Sequence, residues 1–380
     1  MIYLDNSATT RTFDTAANAA RKYMTEVYFN PSSAYSPAVS AEKSVNEARR
    51  RLCGALGAAS GSVIYTSGAT ESNNMAISGC LSKKRGKGRI IVSSVEHPSV
   101  YETAQALSAK GYEVVTVGVD ETGKVDLSAF GGCLTADTDF VSIMQVNNET
   151  GAVNDLPAIR SMIKKLAPNA VFHVDGVQGF LKVPVNMGQC DMYSISGHKF
   201  HAPKGVGALY VGNGVRFGGG QTGGGQESGL RSGTLNVPGI MGMDAAITTY
   251  LANEQAYRKQ MVLCKQRLYD NMMKQGDVML NGPSVDAGAP HILNLSFLGV
   301  RGEVMLHALE AKGVLVSTGS ACSSHKKGKN RILGSMGITG ERLEGAIRFS
   351  FSPMNTIAEI DTASEIIAET AAFLRKYKRR

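Results

Sequence analysis

Residues 171–211 read VFHVDGVQGFLKVPVNMGQCDMYSISGHKFHAPKGVGALYV. Three short runs rich in β-branched and aromatic residues stand in this stretch, VFHVD, MYSIS and ALYV, and the first two break off into polar, glycine-containing turns, DGVQ and SGHK. Working outward toward the N-terminus, the same pattern recurs in SVIYT (62–66), RIIVSS (89–94), EVVTVGV (113–119) and FVSIMQV (140–146). Helix-like segments separate most of these runs. Strands alternating with helices predict an α/β fold built on a mainly parallel, doubly wound, seven-stranded sheet.

The polar residues after the strands carry a further expectation. TSGATESNN follows the SVIY run, VEHPS follows RIIVSS, NNETG follows IMQV, DGVQ follows FHV and SGHK follows YSI. In open α/β sheets a ligand sits in the crevice beyond the carboxyl ends of the strands. Five loops distant in sequence are therefore expected to converge on one site.

Beyond the glycine-rich GGGQTGGGQESGLRSGT (218–234), the pattern predicts one long helix over roughly 238–275. Strand HILNLSF (291–297), helix GEVMLHALEAKG (302–313), strand VLVST (314–318), a polar loop, strand AIRFSF (346–351) and an amphipathic helix from Thr356 follow. These make a smaller α+β unit at the C-terminal end. The expected division is a large domain over 14–255 and a small one made of 1–13 with 256–380, the latter carrying a loop at about 318–334.

Composition narrows the class. The chain has 380 residues, 43% apolar and 19% charged, which is ordinary for a folded globular protein. No apolar run reaches the ~18 residues of a membrane helix, and MIYLDNSATT lacks the basic-then-apolar order of a secretory signal, so a cytoplasmic protein without membrane attachment is expected. Six cysteines, Cys53, Cys80, Cys133, Cys190, Cys264 and Cys322, fall without CxxC pairs, which argues against a disulfide framework or a structural zinc site. The net charge of +8 comes from basic residues spread thinly along the chain, with local clusters at KKRGKGR, HKKGKN and RKYKRR and no aromatic-interleaved basic motif, and reads as a solvated basic surface, not a direct nucleic-acid interface. Neither GxxxxGK[ST] nor a strand-coupled GxGxxG is present, so nucleoside triphosphates and dinucleotides are not favoured.

The chemistry-bearing residues cluster in the strand-end loops. Lys199 follows a strand and a Ser-Gly-His turn; it is either a solvated charge or an amine poised for a Schiff base with an aldehyde cofactor, a role that a depressed amine pKa favours. Pyridoxal phosphate also needs an acid beside its ring nitrogen, because the protonated ring is the electron sink. Asp175, at the end of VFHVD, fits that need; its alternative is to cap the turn that follows. SGATESNN offers a glycine turn, Thr70 and a helix start for a phosphate, to which Ser196 and His198 could add donors, or it is a plain capped turn. His198 and His201 stand three apart, but no carboxylate or cysteine lies at ligand spacing, so no metal site is expected.

YLDNSATT, NPSS, SGATESNN, VEHPSV, VNNETG, FHVDGVQ, SGHKFHAPKGVGALYV, GGGQESGLRSGT, STGSACSS and AIRFSFS run in order over nearly the whole chain, and together they resemble the cysteine desulfurases. These are class V, fold type I pyridoxal-phosphate enzymes. The resemblance implies that Lys199 carries pyridoxal 5'-phosphate, with Asp175 beside the pyridine nitrogen and Gln178 and Asn148 near the phenolic oxygen. It places Ala69, Thr70, Ser196 and His198 on the phosphate, Thr234 on the phosphate of a neighbouring subunit in a homodimer with shared sites, and His97 on the cofactor ring and in proton transfer. Arg348, with Asn148, would bind the substrate carboxylate, a task that suits a planar guanidinium; read alone, Arg348 is equally a strand-end salt bridge.

The implied reaction converts L-cysteine to L-alanine. The Cys322 thiolate takes the sulfur as a persulfide, and an acceptor protein or thiol collects it for iron-sulfur cluster, thio-cofactor or tRNA synthesis. His325, Lys326, Lys327 and Lys329 either raise the thiolate fraction at Cys322 or only solvate the loop. Two departures from the family pattern stand out: SSHKKGKNRILGSMG replaces the usual Leu-Glu-Pro-Ser segment, which bears on the acceptor, and FNPSSAY has Phe29 and Tyr35 where glycine and histidine are common. Selenocysteine lyases and class V aminotransferases are the rival readings within the fold, and a non-catalytic sulfur-delivery or nucleic-acid-binding module is the rival outside it.

Overall fold

The computed structural model describes residues 1–84, 86–319 and 330–376. The expectations for Cys322, His325, Lys326, Lys327 and Lys329 lie outside the described residues. The chain opens with β1 (Ile2–Tyr3), α1 (Asp14–Thr25) and α2 (Ser36–Ala55). The alternating region then runs β2 (Ser62–Thr66), α3 (Ala69–Leu81), β3 (Arg89–Ser93), α4 (Pro98–Ser108), β4 (Glu113–Val117), α5 (Leu127–Cys133), β5 (Thr138–Ser142), α6 (Leu156–Leu166), β6 (Val171–Asp175), β7 (Met192–Ser196) and β8 (Gly207–Val211).

These seven strands form one sheet in the order β2-β8-β7-β6-β5-β3-β4. Only β8 runs against its neighbours; every other pairing in the sheet is parallel. Helices cover the faces, so MYSIS and GALYV are buried along their whole length instead of alternating. The parallel strands bring their carboxyl ends to one edge. The loops after β2, β3, β5, β6 and β7 meet there, as the sequence pattern predicts.

The C-terminal part holds α7 (Val237–Ala252), α8 (Glu254–Met273), β9 (Val278–Asn281), β10 (Ile292–Phe297), α9 (Gly302–Ala311), β11 (Val314–Leu315), α10 (Arg331–Ser335), α11 (Gly340–Glu344), β12 (Ala346–Ser350) and α12 (Ile357–Arg375). A three-stranded antiparallel sheet, β12-β10-β9, carries it, and β11 pairs in parallel with β1. The single helix expected over 238–275 is two helices, broken at Asn253 (φ −125°, ψ 13°), which ends α7 and begins α8. Burial supplies the reason. Ile240, Met243, Ile247 and Tyr250 of α7 join the core of the large sheet, whereas Cys264, Leu268 and Met272 of α8 join a second core with Leu4, Leu293, Phe349, Ile360 and Ile367. VLVST is strand only over Val314–Leu315, after which Ser317 forms an isolated bridge with Arg348. Thr356 starts α12 through a capping box with Glu359. Among the described residues no helix is long and apolar enough to cross a membrane.

Candidate active site

The turn after β2 sits where an anion is best received. Gly68 precedes α3 at φ 153°, a conformation open to glycine, and no side chain caps the helix. Ser196, buried at the end of β7, places its hydroxyl 3.6 Å from where a Gly68 Cβ would stand. Gly207 completes the approach: a Cβ there would lie 2.7 Å from Gly68 Cα and 2.6 Å from the Ile195 carbonyl. Ala69 and Thr70 thus begin a helix whose first N–H groups face the sheet edge, with Thr70 exposed. Glu71 is held by Arg231 at 2.8 Å, which ties the glycine-rich segment to this turn.

Asp175 ends β6 and is buried. One carboxylate oxygen accepts from the Val177 N–H at 3.1 Å, so the residue does cap its own turn; the other accepts from Asn73 Nδ2 at 2.8 Å. Asn73 also donates to Ser99 Oγ at 2.9 Å, and Ser99 Oγ lies 2.8 Å from His97 Nδ1. His97 caps α4 by accepting the Ser99 N–H at Nδ1, which leaves its proton on Nε2. Burial lowers the His97 pKa, with Lys199 and Arg331 pushing the same way against Asp175, so the imidazole is neutral. A continuous chain therefore joins Asp175 to His97 through Asn73 and Ser99. Both linkers stand within motifs quoted above, but their spacing gave no sign that they touch.

Lys199 lies in a short 3-10 turn after β7, and its Nζ donates to the Ser7 and Ala8 carbonyls at 2.7 and 2.8 Å. Gln178 Nε2 reaches the same Ser7 carbonyl at 3.0 Å, while its Oε1 accepts from His291 Nε2 at 3.2 Å. Lys182 is fully enclosed nearby, and burial with the charge of Lys199 brings its ammonium down to about 7. Burial and the surrounding lysines bring His198 down to about 4, so it too is neutral; its Nδ1 lies 3.2 Å from Thr9 Oγ1. His201 turns away, stacking on Phe13 at 4.2 Å and bonding the Arg11 carbonyl at 2.7 Å.

Arg348 enters from β12. It makes the strand-end salt bridge that its position allows, to Asp5 at 2.7 Å, and donates to the Asn148 carbonyl at 3.0 Å. Residues 5–8 thereby touch Arg348 on one side and Lys199 on the other. Arg348 Nε, Asn148 Oδ1 and Ser7 Oγ are buried without a hydrogen-bond partner among the described residues, the condition of groups arranged for something further. Thr234 stands apart: it is exposed, and no hydrogen bond among the described residues ties it to this cluster. Phe29 and Tyr35 meet edge to face at 6.1 Å on the outer surface before α2.

Comparison with known proteins agrees with this architecture. Residues 2–362 match the aminotransferase class-V family. The cysteine desulfurase of a Nostoc species is 39% identical over 378 residues, which cover 99% of this chain and 94% of that protein. The cysteine desulfurase IscS of Methanosarcina thermophila is 37% identical, with 98% and 93% covered. A solved NifS-like protein superposes with a TM-score of 0.91 at 34% identity, covering 98% of this chain and 99% of that one. The chain belongs to the aminotransferase class-V family and, within it, to the cysteine desulfurases.

Proposed function

We propose that this protein is a pyridoxal-phosphate-dependent cysteine desulfurase that converts L-cysteine to L-alanine and holds the sulfur as a persulfide on Cys322. The observation that carries this reading is the meeting of Lys199, Asp175 and Arg348 at one sheet edge, with a buried Arg348 Nε and Asn148 Oδ1 left without a hydrogen-bond partner among the described residues. The residues present fit the cofactor. The uncapped start of α3 with Thr70, Ser196 and His198 suits its phosphate, Asp175 its ring nitrogen and Lys199 its aldehyde. When bound there, pyridoxal phosphate draws electron density from the substrate Cα.

The chain's own groups do the rest. Arg348 and Asn148 hold the cysteine carboxylate. Asp175 keeps a proton on the ring nitrogen, and its bond from Asn73 fixes that carboxylate's direction. Lys199 takes the Cα proton, and neutral His97 holds a proton at Nε2 for the leaving side. The Cys322 thiolate attacks the substrate sulfur: the C–S bond breaks as an S–S bond forms, so cysteine and the enzyme thiol become alanine and the enzyme persulfide. Cys80 and Cys264 suit this less, since burial pushes them up to about 12 and about 11.

The finer reading is of a homodimer in which Thr234 serves the partner's phosphate, with 14–255 as the cofactor domain and a cytoplasmic sulfur-acceptor protein as the recipient. The test uses Cys322→Ser and Lys199→Ala, each supplied with cysteine and a thiol reductant while alanine and sulfide are measured. Cys322→Ser is expected to stay yellow and to respond spectrally to cysteine, yet release almost no sulfide; Lys199→Ala is expected to lose both. Sulfide release unchanged in Cys322→Ser would remove the assigned nucleophile.

A further inference from the structure

Gly319 and Asn330 flank the segment that carries Cys322. Asn330 Nδ2 donates to Glu149 Oε2 at 2.7 Å. Gly319 packs against the same oxygen, beside that bond: a Cβ there would stand 2.1 Å from Glu149 Oε2 and 2.5 Å from Asn330 Nδ2. Both ends of the segment thus abut a single carboxylate, Asn330 by a hydrogen bond and Gly319 by close packing, and only a residue without a side chain fits at 319.

We propose that Glu149 is a positioning residue that clasps the two ends of the Cys322 segment together. Glu149 is itself rigidly placed: it is buried, its N–H donates to Asn147 Oδ1 at 2.9 Å and its carbonyl accepts from Asn294 Nδ2 at 3.2 Å. The flanking residues are anchored as well. Upstream, Ser317 and Arg348 exchange backbone hydrogen bonds at 2.7 and 3.2 Å. Downstream, Asn330 Oδ1 caps α10 at the Leu333 N–H, while Arg331 lies over the Tyr101 ring at 4.0 Å and donates to the Ser94 and Glu96 carbonyls beside His97. The clasp therefore references the segment to the elements that carry Arg348 and His97.

The consequence for sulfur transfer rests on Cys322 being the nucleophile. Cys322 stands three residues after Gly319 in sequence. Fixing both ends shortens the search a thiolate makes for its target. Desolvation pushes the Glu149 carboxyl up to about 7 against the pull of Asn330, Arg348 and Arg331. A glutamine at 149 keeps an acceptor for Asn330 in the same place whatever the pH.

The experiment compares the holoenzyme with Glu149→Ala, Glu149→Gln and Gly319→Ala, the last opening the clasp at the other end of the segment. Backbone hydrogen exchange over residues 316–333 is read alongside single-turnover persulfide formation and the spectral titration with cysteine. In Glu149→Ala and Gly319→Ala, exchange in that region is expected to quicken about tenfold and persulfide formation to slow about tenfold or more. Cysteine binding is expected to stay within about a factor of three, and Glu149→Gln to behave as wild type. Unchanged exchange in Glu149→Ala and Gly319→Ala, a Glu149→Gln variant as impaired as the alanine, or quickening spread evenly over the large sheet would each overturn the proposal. Exchange reports on the clasp whether or not Cys322 is the nucleophile, which Cys322→Ser decides separately.

Discussion

Asn73→Ala tests the chain that joins Asp175 to His97. In the structure the Asn73 amide donates to a buried carboxylate at 2.8 Å and to Ser99 Oγ at 2.9 Å, while its own Oδ1 is buried without a partner among the described residues. The lost bond to the carboxylate is worth about 2 kcal/mol and the lost bond to the hydroxyl about 1 kcal/mol. Removing an unsatisfied amide oxygen returns about 1 kcal/mol, for a net loss of about 2 kcal/mol. Urea unfolding of wild type, Asn73→Ala, Ser99→Ala and the double variant measures it. The Asn73–Ser99 bond is lost in either single variant and counts once in the double, so the double is expected to fall short of the sum by about 1 kcal/mol. A single Asn73→Ala variant within about 0.5 kcal/mol of wild type, or strict additivity, would refute the chain.

Two further expectations follow from buried groups. Burial holds His173 at a pKa of about 3 and His201 at about 4, below the ordinary 6.5, so both are neutral in the fold and take up a proton on unfolding. Their stabilising contribution is complete above pH 6.5 and is lost as pH falls from there toward 4, each at about 1.4 kcal/mol per pH unit. His173→Gln, which can still bond Ser142 and Ser194, should flatten the measured slope by that amount; an unaltered slope would contradict it. Arg348→Lys keeps a cation for Asp5 but loses the planar fork and its bond to the Asn148 carbonyl. KM for cysteine should rise about tenfold or more with a smaller change in kcat, and an unchanged KM would show that Arg348 serves only the salt bridge.

The strands of the large sheet and their polar ends are legible in the sequence because strand patterning and turn chemistry are local. SVIYT, VFHVD and MYSIS match β2, β6 and β7 residue for residue. Lys199 and Asp175 draw notice for the same reason, each following a run of strand residues with a group able to do chemistry, whereas His97 was singled out only through the family resemblance. The break at Asn253 was not legible, since no proline or glycine marks it; it follows from α7 and α8 burying their apolar faces in different cores.

By itself, then, the amino-acid order determined an α/β chain with a mainly parallel sheet and the residue types gathered at its strand ends. Tertiary structure alone decided which of those groups touch: Asp5 with Arg348 across 343 positions, Lys199 with Ser7 across 192, Asp175 with Asn73 across 102. Propensity and patterning act between near neighbours. Those contacts depend instead on a strand order, β2-β8-β7-β6-β5-β3-β4, that is set by how whole layers pack.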